Sequence, residues 1–370
     1  MSGPGVRDER GYAVPSMQVE FVPGAAGVRR VRPSTPEDGP AIVALMRQAG
    51  LQPHVHPEHL HWKYWREHPD WSGSRSFVLT DGRDLLAHGA VVPGTMRWGT
   101  RQARVIHMID WAARREAIGA GVLLMKHMGG MTDFLLGIGG SRQSREIMPR
   151  IGYQCCGTVR GYVRTLNPLA IPRRPTQVPW KLGPRMARSL LWILSAPKID
   201  LGGWAVRRIG PDALDELSAV LPAPQPGLAT VQRSTALLRH ALACPIVPVE
   251  LFALERGGRI GGYFMLSFAP GQARLIDGWV RSEDPADWRA LAHAAVQTAR
   301  RHGGTAELAT WASDPRWGQI LRTCGFHERL QLPIGLRPSA KEAVPAETLR
   351  VQMIDNDEFY LYFGGNQLWA

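Results

Sequence analysis

The chain has 370 residues, 44% of them hydrophobic and 21% charged, a globular balance that suggests about two domains; no apolar run reaches the roughly 18 residues of a membrane span. A formal net charge of +12 favours anionic partners, but the cations are scattered and no nucleic-acid-reading motif accompanies them, so a solvated surface plus an anionic cofactor is expected and a DNA partner is not. Cys155, Cys156, Cys244 and Cys324 show no metal-ligand spacing and suit a reducing, cytoplasmic setting.

In chain order, residues 1–28 are rich in Gly and Pro, lack the apolar core of a signal peptide, and read as a disordered lead-in. Arg32 to Asp38 precedes a helical pattern of Ile42, Leu45 and Met46; Thr35 with Asp38 resembles a capping box, with Pro36 at the first helical position. His54, His56, His59, His61 and His68 cluster without a matching set of Cys or carboxylate ligands, and read first as ordinary loop or helix histidines, then as acceptor contacts, and last as metal ligands; no metal is expected. The run Phe77 to Gly89 reads as a β-hairpin turning at Gly82. Ile109-Asp110-Trp111 lies late in a strand just before a helix, and Ser141 to Tyr153 reads as an N-cap, a short helix and a Gly-aromatic ending. Prolines 168, 172, 175 and 179 break the next segment, and Arg185 to Leu194 follows as a basic apolar helix, either packed on a domain or touching a membrane surface.

The pattern then repeats. Arg208 to Ala213 precedes helical Leu214 and Leu217, Phe252 to Gly262 is a second hairpin turning at Gly257, Ile276-Asp277-Gly278-Trp279 matches the first strand end, and Asp314 to Phe326 matches the short helix. Landmarks recurring in one order at nearly one offset argue for an internal repeat. The expected organisation is a lead-in over 1–28, a first domain over 29–165, a Pro-rich basic linker over 166–203, a second domain over 204–340, and a tail over 341–370 in which Met353 to Phe363 is an acidic turn followed by a strand. Asp355 and Asp357 in that tail could meet a cationic acceptor or cap a final hairpin.

These residues resemble the GCN5-related N-acetyltransferase (GNAT) superfamily. Arg32 to Leu45 is similar to its first strand and helix, and Trp62-Lys63-Tyr64, His68-Pro69 and the hairpin at Phe77 to Val91 resemble a subgroup carrying a WKY segment ahead of the central strands. Asp110 to Leu124 resembles the acetyl-CoA motif, in which a strand ends in Arg/Gln-x-x-Gly-x-Gly/Ala and opens a helix. The resemblance implies an α/β fold class with two tandem domains, each a mixed, largely antiparallel sheet flanked by helices. It also implies acetyl-CoA as co-substrate, and transfer of the acetyl group to an amine or hydroxyl of a small-molecule or sugar acceptor. The phosphates would lie against Trp111, Ala112, Arg114, Arg115, Ala117, Ile118, Gly119, Ala120 and Gly121, because a helix N-terminus offers unpaired N–H groups and glycine lets the backbone come close. The competing use of Gly119-Ala120-Gly121 is tight packing of a helix on a strand.

The chain departs from the family pattern in three places. Glu116 stands where Arg or Gln is usual, Met148 and Leu321 stand where the family's acidic Tyr would be, and the second copy has no glycine at its helix start, with Glu283, Asp284 and Asp287 there instead. The second copy is therefore not expected to bind CoA in the standard way. Asp110, at the strand end, and His107, earlier on what reads as the same face, are the candidate general bases. A non-catalytic tandem binding protein and an aminoacyltransferase of the FemABX kind are the alternatives.

Overall fold

The computed structural model describes residues 20–24, 27–82, 84–168, 182–339 and 342–362. The chain forms two compact units: one takes 1–94, 103–136 and 337–343, the other 95–102, 137–336 and 344–370.

The first unit carries β1 (Glu20–Gly24), β2 (Gly27–Pro33), α1 (Gly39–Gln48), α2 (Pro57–Leu60), β3 (Ser76–Thr80), β4 (Leu85–Trp98), β5 (Arg101–Ala113), α3 (Ala120–Gly129) and β6 (Phe134–Ile138). Its strands lie in the order of the chain. β1/β2, β2/β3 and β3/β4 are antiparallel, and β5/β6 is parallel, with Val105 to His107 paired to Phe134 to Leu136. β1 lies inside the stretch expected as a lead-in, since backbone pairing of Glu20 to Gly24 needs no apolar signature that a sequence would display. The Thr35 amide donates to Asp38 at 2.8 Å, Arg32 grips both Asp38 oxygens at 2.6 and 2.7 Å, and a 3-10 turn at Pro36–Asp38 leads into α1. Ile42, Leu45 and Met46 then meet Leu60, Tyr64, Val78, Leu85, Ala90, Ile109 and Ala112 in the core. Each such aliphatic side chain contributes about 1.5–3 kcal/mol by leaving water. After α2 the backbone widens into a π turn over His61–Trp65, a geometry often found where side chains are aimed for function.

The second unit continues with α4 (Arg142–Ile147), β7 (Gln154–Thr165), α5 (Leu182–Leu194), β8 (Ala205–Ile209), β9 (Leu228–Val231), α6 (Thr235–Leu242), β10 (Val249–Arg256), β11 (Arg259–Ala269), β12 (Gln272–Val280), α7 (Pro285–Arg301), β13 (Glu307–Ala312), α8 (Pro315–Thr323), β14 (His327–Pro338) and β15 (Thr348–Arg350). The strand order is β14-β7-β13-β12-β11-β10-β8, with β12/β13 parallel and the other pairs antiparallel. Leu214 and Leu217 are fully buried, on a 3-10 helix over Pro211–Val220 rather than an α-helix. Ser141 and Asp314 cap α4 and α8, and Gly152 and Gly325 take the left-handed conformation that ends each motif.

The repeat read from the sequence is thus a repeat of elements: strand, helix, hairpin, long strand, helix, strand, helix, strand. In both copies the parallel ladder stops short of the long strand's end: at His107 of β5, which runs to Ala113, and at Leu275 of β12, which runs to Val280. β7, by element order the last strand of the first copy, lies in the second unit, antiparallel to both β13 and β14.

The tail differs from expectation. The strand in it is β15, paired parallel with β9, and Phe359 to Tyr362 forms no strand. The carbonyls there are taken by buried side chains: Ser267 donates to Phe359 O at 2.7 Å, and Arg274 donates to Glu358 O and Leu361 O at 2.7 and 2.9 Å. Residues 169–181 of the expected linker and 363–370 lie outside the described residues. Among the described residues no helix is long and apolar enough to cross a membrane.

Candidate active site

The proposed phosphate loop follows β5. The Ala117 amide donates to Arg114 O at 3.2 Å, the Ala120 amide donates to Ala117 O at 3.0 Å, and α3 begins at Ala120. Gly119 caps the helix with φ near 79°, where an L side chain is strained, and a Cβ placed on it would meet nothing within 4 Å. Gly121 serves the competing purpose: a Cβ there would stand 3.0 Å from Trp111 Nε1, which donates to Gly121 O at 3.0 Å. One glycine opens space before the helix, and the other lets the helix seat on the indole. With the Ala120 amide given to Ala117 O and the Leu123 amide to Gly119 O, the Gly121 and Val122 amides are the first-turn donors without an acceptor inside the helix, and they sit at its positive end. Ala112 and Ala117 are buried under the loop; Arg115, Glu116 and Ile118 are exposed, Ile118 at 87%. Arg114 reaches Asp84 at 3.1 Å.

Asp110 stands just before the loop. It is the one non-glycine residue with positive φ among those described, at 51°, a conformation Asp tolerates better than most side chains. Its Oδ2 receives Lys63 Nζ at 2.5 Å and the Tyr64 hydroxyl at 2.6 Å, both delivered by the π turn. Burial pushes the Asp110 carboxyl up, but the Lys63 ammonium and the two hydrogen bonds hold it below the usual carboxylate range. Behind it a polar chain crosses the sheet. Trp65 donates to Ser34 Oγ at 3.0 Å, Ser34 donates to Ser76 Oγ at 2.7 Å, Ser76 lies 2.9 Å from His88 Nε2, and His88 Nδ1 lies 3.1 Å from Asp110 O. The direction of these donors assigns the His88 proton to Nδ1, so that His88 donates to the backbone at the strained residue. Burial lowers the His88 pKa to about 4 and keeps it neutral.

His107 is buried, its pKa also lowered to about 4 by burial alone, and its Nδ1 has no hydrogen-bond partner. The expectation that it shares a face with Asp110 does not follow from strand alternation: the two are three residues apart, and the positive φ of Asp110 interrupts the alternation at that residue. Met148, at the position of the missing Tyr, packs on Gly137. Lys63 and Tyr64 entered the sequence reading only as part of the WKY resemblance, and His88 only as a residue of the first hairpin; none was given a role in the site. The available signal was a lysine between two aromatic residues, a setting that buries the ammonium and so demands a carboxylate.

The second copy has a related cluster. β12 bulges between Leu275 and Asp277, and Asp277 Oδ2 receives the Tyr263 hydroxyl at 2.7 Å and Arg233 Nε at 3.1 Å. Arg233 also grips Asp355 at 2.7 and 3.1 Å, so Asp355 is a buried ion-pair partner rather than an acceptor contact or hairpin cap. Past the bulge the groups that would face a ligand are used internally. The Gly278 amide donates to Gln352 Oε1 at 3.1 Å, and Gly278 O receives Arg350 at 3.4 Å. At the start of α7, Asp284 accepts from the Ala286 amide at 2.8 Å, and Asp287 receives Trp204 and Arg256, each at 2.9 Å. Within the 54–68 cluster three histidines come together, His54 and His59 at 5.8 Å and His56 and His59 at 5.2 Å between ring centres. Among the described residues no group of three or more His, Cys, Asp or Glu is arranged to hold a metal.

No family model and no curated protein matches the chain by sequence. Solved structures do match. A probable N-acyltransferase from Enterococcus faecalis V583 aligns at TM-score 0.54 and 13% identity, over 84% of this chain and 72% of its own. A GCN5-related N-acetyltransferase from Anabaena variabilis aligns at 0.54 and 11%, over 83% and 72%. The Saccharomyces cerevisiae N-myristoyltransferase with bound myristoyl-CoA and inhibitors aligns at 0.57 and 11%, over 87% and 82%. At such identities the likeness is one of fold, and it agrees with the α/β architecture of mixed sheets flanked by helices, built twice. The fold of this chain is that of the GCN5-related N-acetyltransferase superfamily.

Proposed function

We propose that the protein is an acyl-CoA-dependent N-acyltransferase, using acetyl-CoA as donor and a small-molecule or sugar amine as acceptor, in a cytoplasmic setting that suits its four free cysteines. The observation that carries the reading is Gly119: a left-handed residue opening clear space at a helix start, directly after a long strand that outruns its parallel partner. The Gly121 and Val122 amides in the first turn of α3 would hold the pyrophosphate and Arg115 would add charge. The neighbours bearing acyl-CoA chemistry in their names support the donor class.

In the reaction the amine nitrogen attacks the thioester carbonyl, the C–N bond forms, the C–S bond breaks, and the amine proton must leave. Lys63 and Tyr64 both bond Asp110 Oδ2, which leaves Oδ1 to receive an ammonium or amine N–H. With its proton affinity depressed, Asp110 serves better to orient and hold a cationic acceptor than to take the proton outright. His107 is the alternative acceptor of the proton. Because the second copy spends its Gly278 amide and its helix start internally, one acyl-CoA per chain is proposed, bound by the first copy.

Calorimetric titration with acetyl-CoA tests this on the wild type, Gly119→Asp and Gly119→Asn. Both substitutions tolerate the left-handed backbone, and only Asp adds charge. Affinity should fall at least about tenfold for Asp, some 1.4 kcal/mol, and stay near wild type for Asn. Equal binding by all three would move the site elsewhere, and no binding by the wild type would sink the reading. A second reading, an acyl-CoA-binding protein without turnover, draws on Met148 in place of Tyr and on the neutralised Asp110; turnover of any amine acceptor would remove it.

A further inference from the structure

α5 turns its apolar stripe outward. Ala187, Leu190, Leu191 and Leu194, at helical spacing i, i+3, i+4 and i+7, are all exposed, the three leucines at 50, 65 and 74%. They are three of the six large apolar side chains exposed among the described residues, and they form one ridge rather than scattered singles. The opposite face is fixed. Ser189 is fully buried, Trp192 stacks flat on His327 at 3.9 Å, and the Arg188 guanidinium lies over Trp192 at 5.0 Å. Rolling the leucines inward would break that stack.

Charge identifies what covers the ridge. No Asp or Glu occurs between Glu146 and Asp200, whereas Arg185 lies in the first turn of the helix and Lys198 follows it. A second copy of the chain would bring these cations against their own kind. A neutral apolar groove would take the leucines and ignore the cations. A bilayer surface bearing anionic headgroups takes both: the leucines enter the boundary between headgroups and acyl chains, and the flanking Lys and Arg reach the phosphates. We propose that α5 is a membrane-surface anchor that lies in the plane of an anionic bilayer with Leu190, Leu191 and Leu194 inserted. This is independent of the acyl-transfer reading and holds whether or not the protein turns over.

The test is co-sedimentation of the full chain with vesicles of phosphatidylglycerol and phosphatidylcholine, and with phosphatidylcholine alone, at low and high salt. The wild type should partition onto the anionic vesicles, weakly or not at all onto the neutral ones, and less at high salt. Leu191→Glu with Leu194→Glu should reduce partitioning at least about tenfold, since each swaps inserted apolar surface for a carboxylate facing anionic lipid. Both side chains are exposed, so the unfolding midpoint by circular dichroism should not move, which separates lost docking from lost folding. No binding of the wild type to anionic vesicles, or binding that the double variant keeps, would overturn the proposal. So would a wild-type dimer by light scattering that the double variant dissolves, because the ridge would then be a subunit interface.

Discussion

Replacing Lys63 with Met should destabilise the protein through the residue it leaves behind. The ammonium is buried and sits 2.5 Å from Asp110 Oδ2; without it a buried carboxylate keeps only the Tyr64 hydroxyl. Removing one partner of a buried ion pair costs about 3–5 kcal/mol. The surviving Tyr64 bond and the slight exposure of Asp110 favour the lower end, about 3 kcal/mol, roughly a hundredfold in the folding equilibrium. The sign with pH follows from the carboxyl. In the wild type it is held below its unfolded value of about 3.9, so its contribution is complete above that pH and is lost as pH falls through the folded value. In Lys63→Met burial, the largest influence on the carboxyl, is opposed mainly by the Tyr64 bond and raises it, so the variant protonates it more readily, and its deficit should be larger at pH 8 than at pH 5. Lys63→Met with Asp110→Asn removes both charges, keeps an acceptor for Tyr64, and suits the positive φ; it should recover most of the loss. Urea unfolding followed by circular dichroism at the two pH values measures all of this. A deficit below about 1 kcal/mol, or one equal at both pH values, or a double variant no better than the single, would refute the reasoning.

Other outcomes follow from the same geometry. His88 and His107 stay neutral in the fold down to about 4, against about 6.5 unfolded, so the stability they carry is full above 6.5 and is lost as pH falls toward 4, by roughly 3 kcal/mol each; His107→Leu should remove about half of that slope in denaturation measured from pH 7 to pH 4. Arg233→Met strands Asp277 and Asp355 in the interior and should cost at least as much as Lys63→Met, read as a drop in soluble yield and in the urea midpoint. Calorimetric stoichiometry should be one acyl-CoA per chain and remain one in Gln352→Ala, since that variant frees the Gly278 amide but leaves Asp284 on the Ala286 amide and the Asp287 carboxylate at the start of α7; a value of two would show that the second copy also binds.

Much of the architecture was legible because it rests on local signals. Thr35, Pro36 and Asp38 announce the start of a helix, Gly82 and Gly257 mark hairpin turns, and Ser141 and Asp314 are caps whose side chains bond amides close by in the chain. Gly119 at the head of α3 was legible for the same reason, since its left-handed backbone is a property of one residue. The polar side chains around Asp110 were not. Lys63 and Tyr64 reach it across 47 and 46 positions, and Arg233 reaches Asp355 across 122. The tail misled for a related reason: Asp355 and the carbonyls near Phe359 look solvent-facing in sequence, yet Arg233, Arg274 and Ser267 claim them from elsewhere in the fold.

The sequence by itself determined the helix caps and hairpin turns of the two copies, that the pattern occurs twice, and that the first copy keeps the glycines a phosphate would need while the second does not. Those features depend on backbone conformation and short-range hydrogen bonds, which each residue type expresses in place. Only the tertiary structure decided that β7 lies between β13 and β14, that Asp110 is an ion-pair partner of Lys63, and that Gln352 and Arg350 occupy the backbone of Gly278. A buried charge must be satisfied, but any residue the fold brings near can satisfy it, and one chain's sequence does not encode which one.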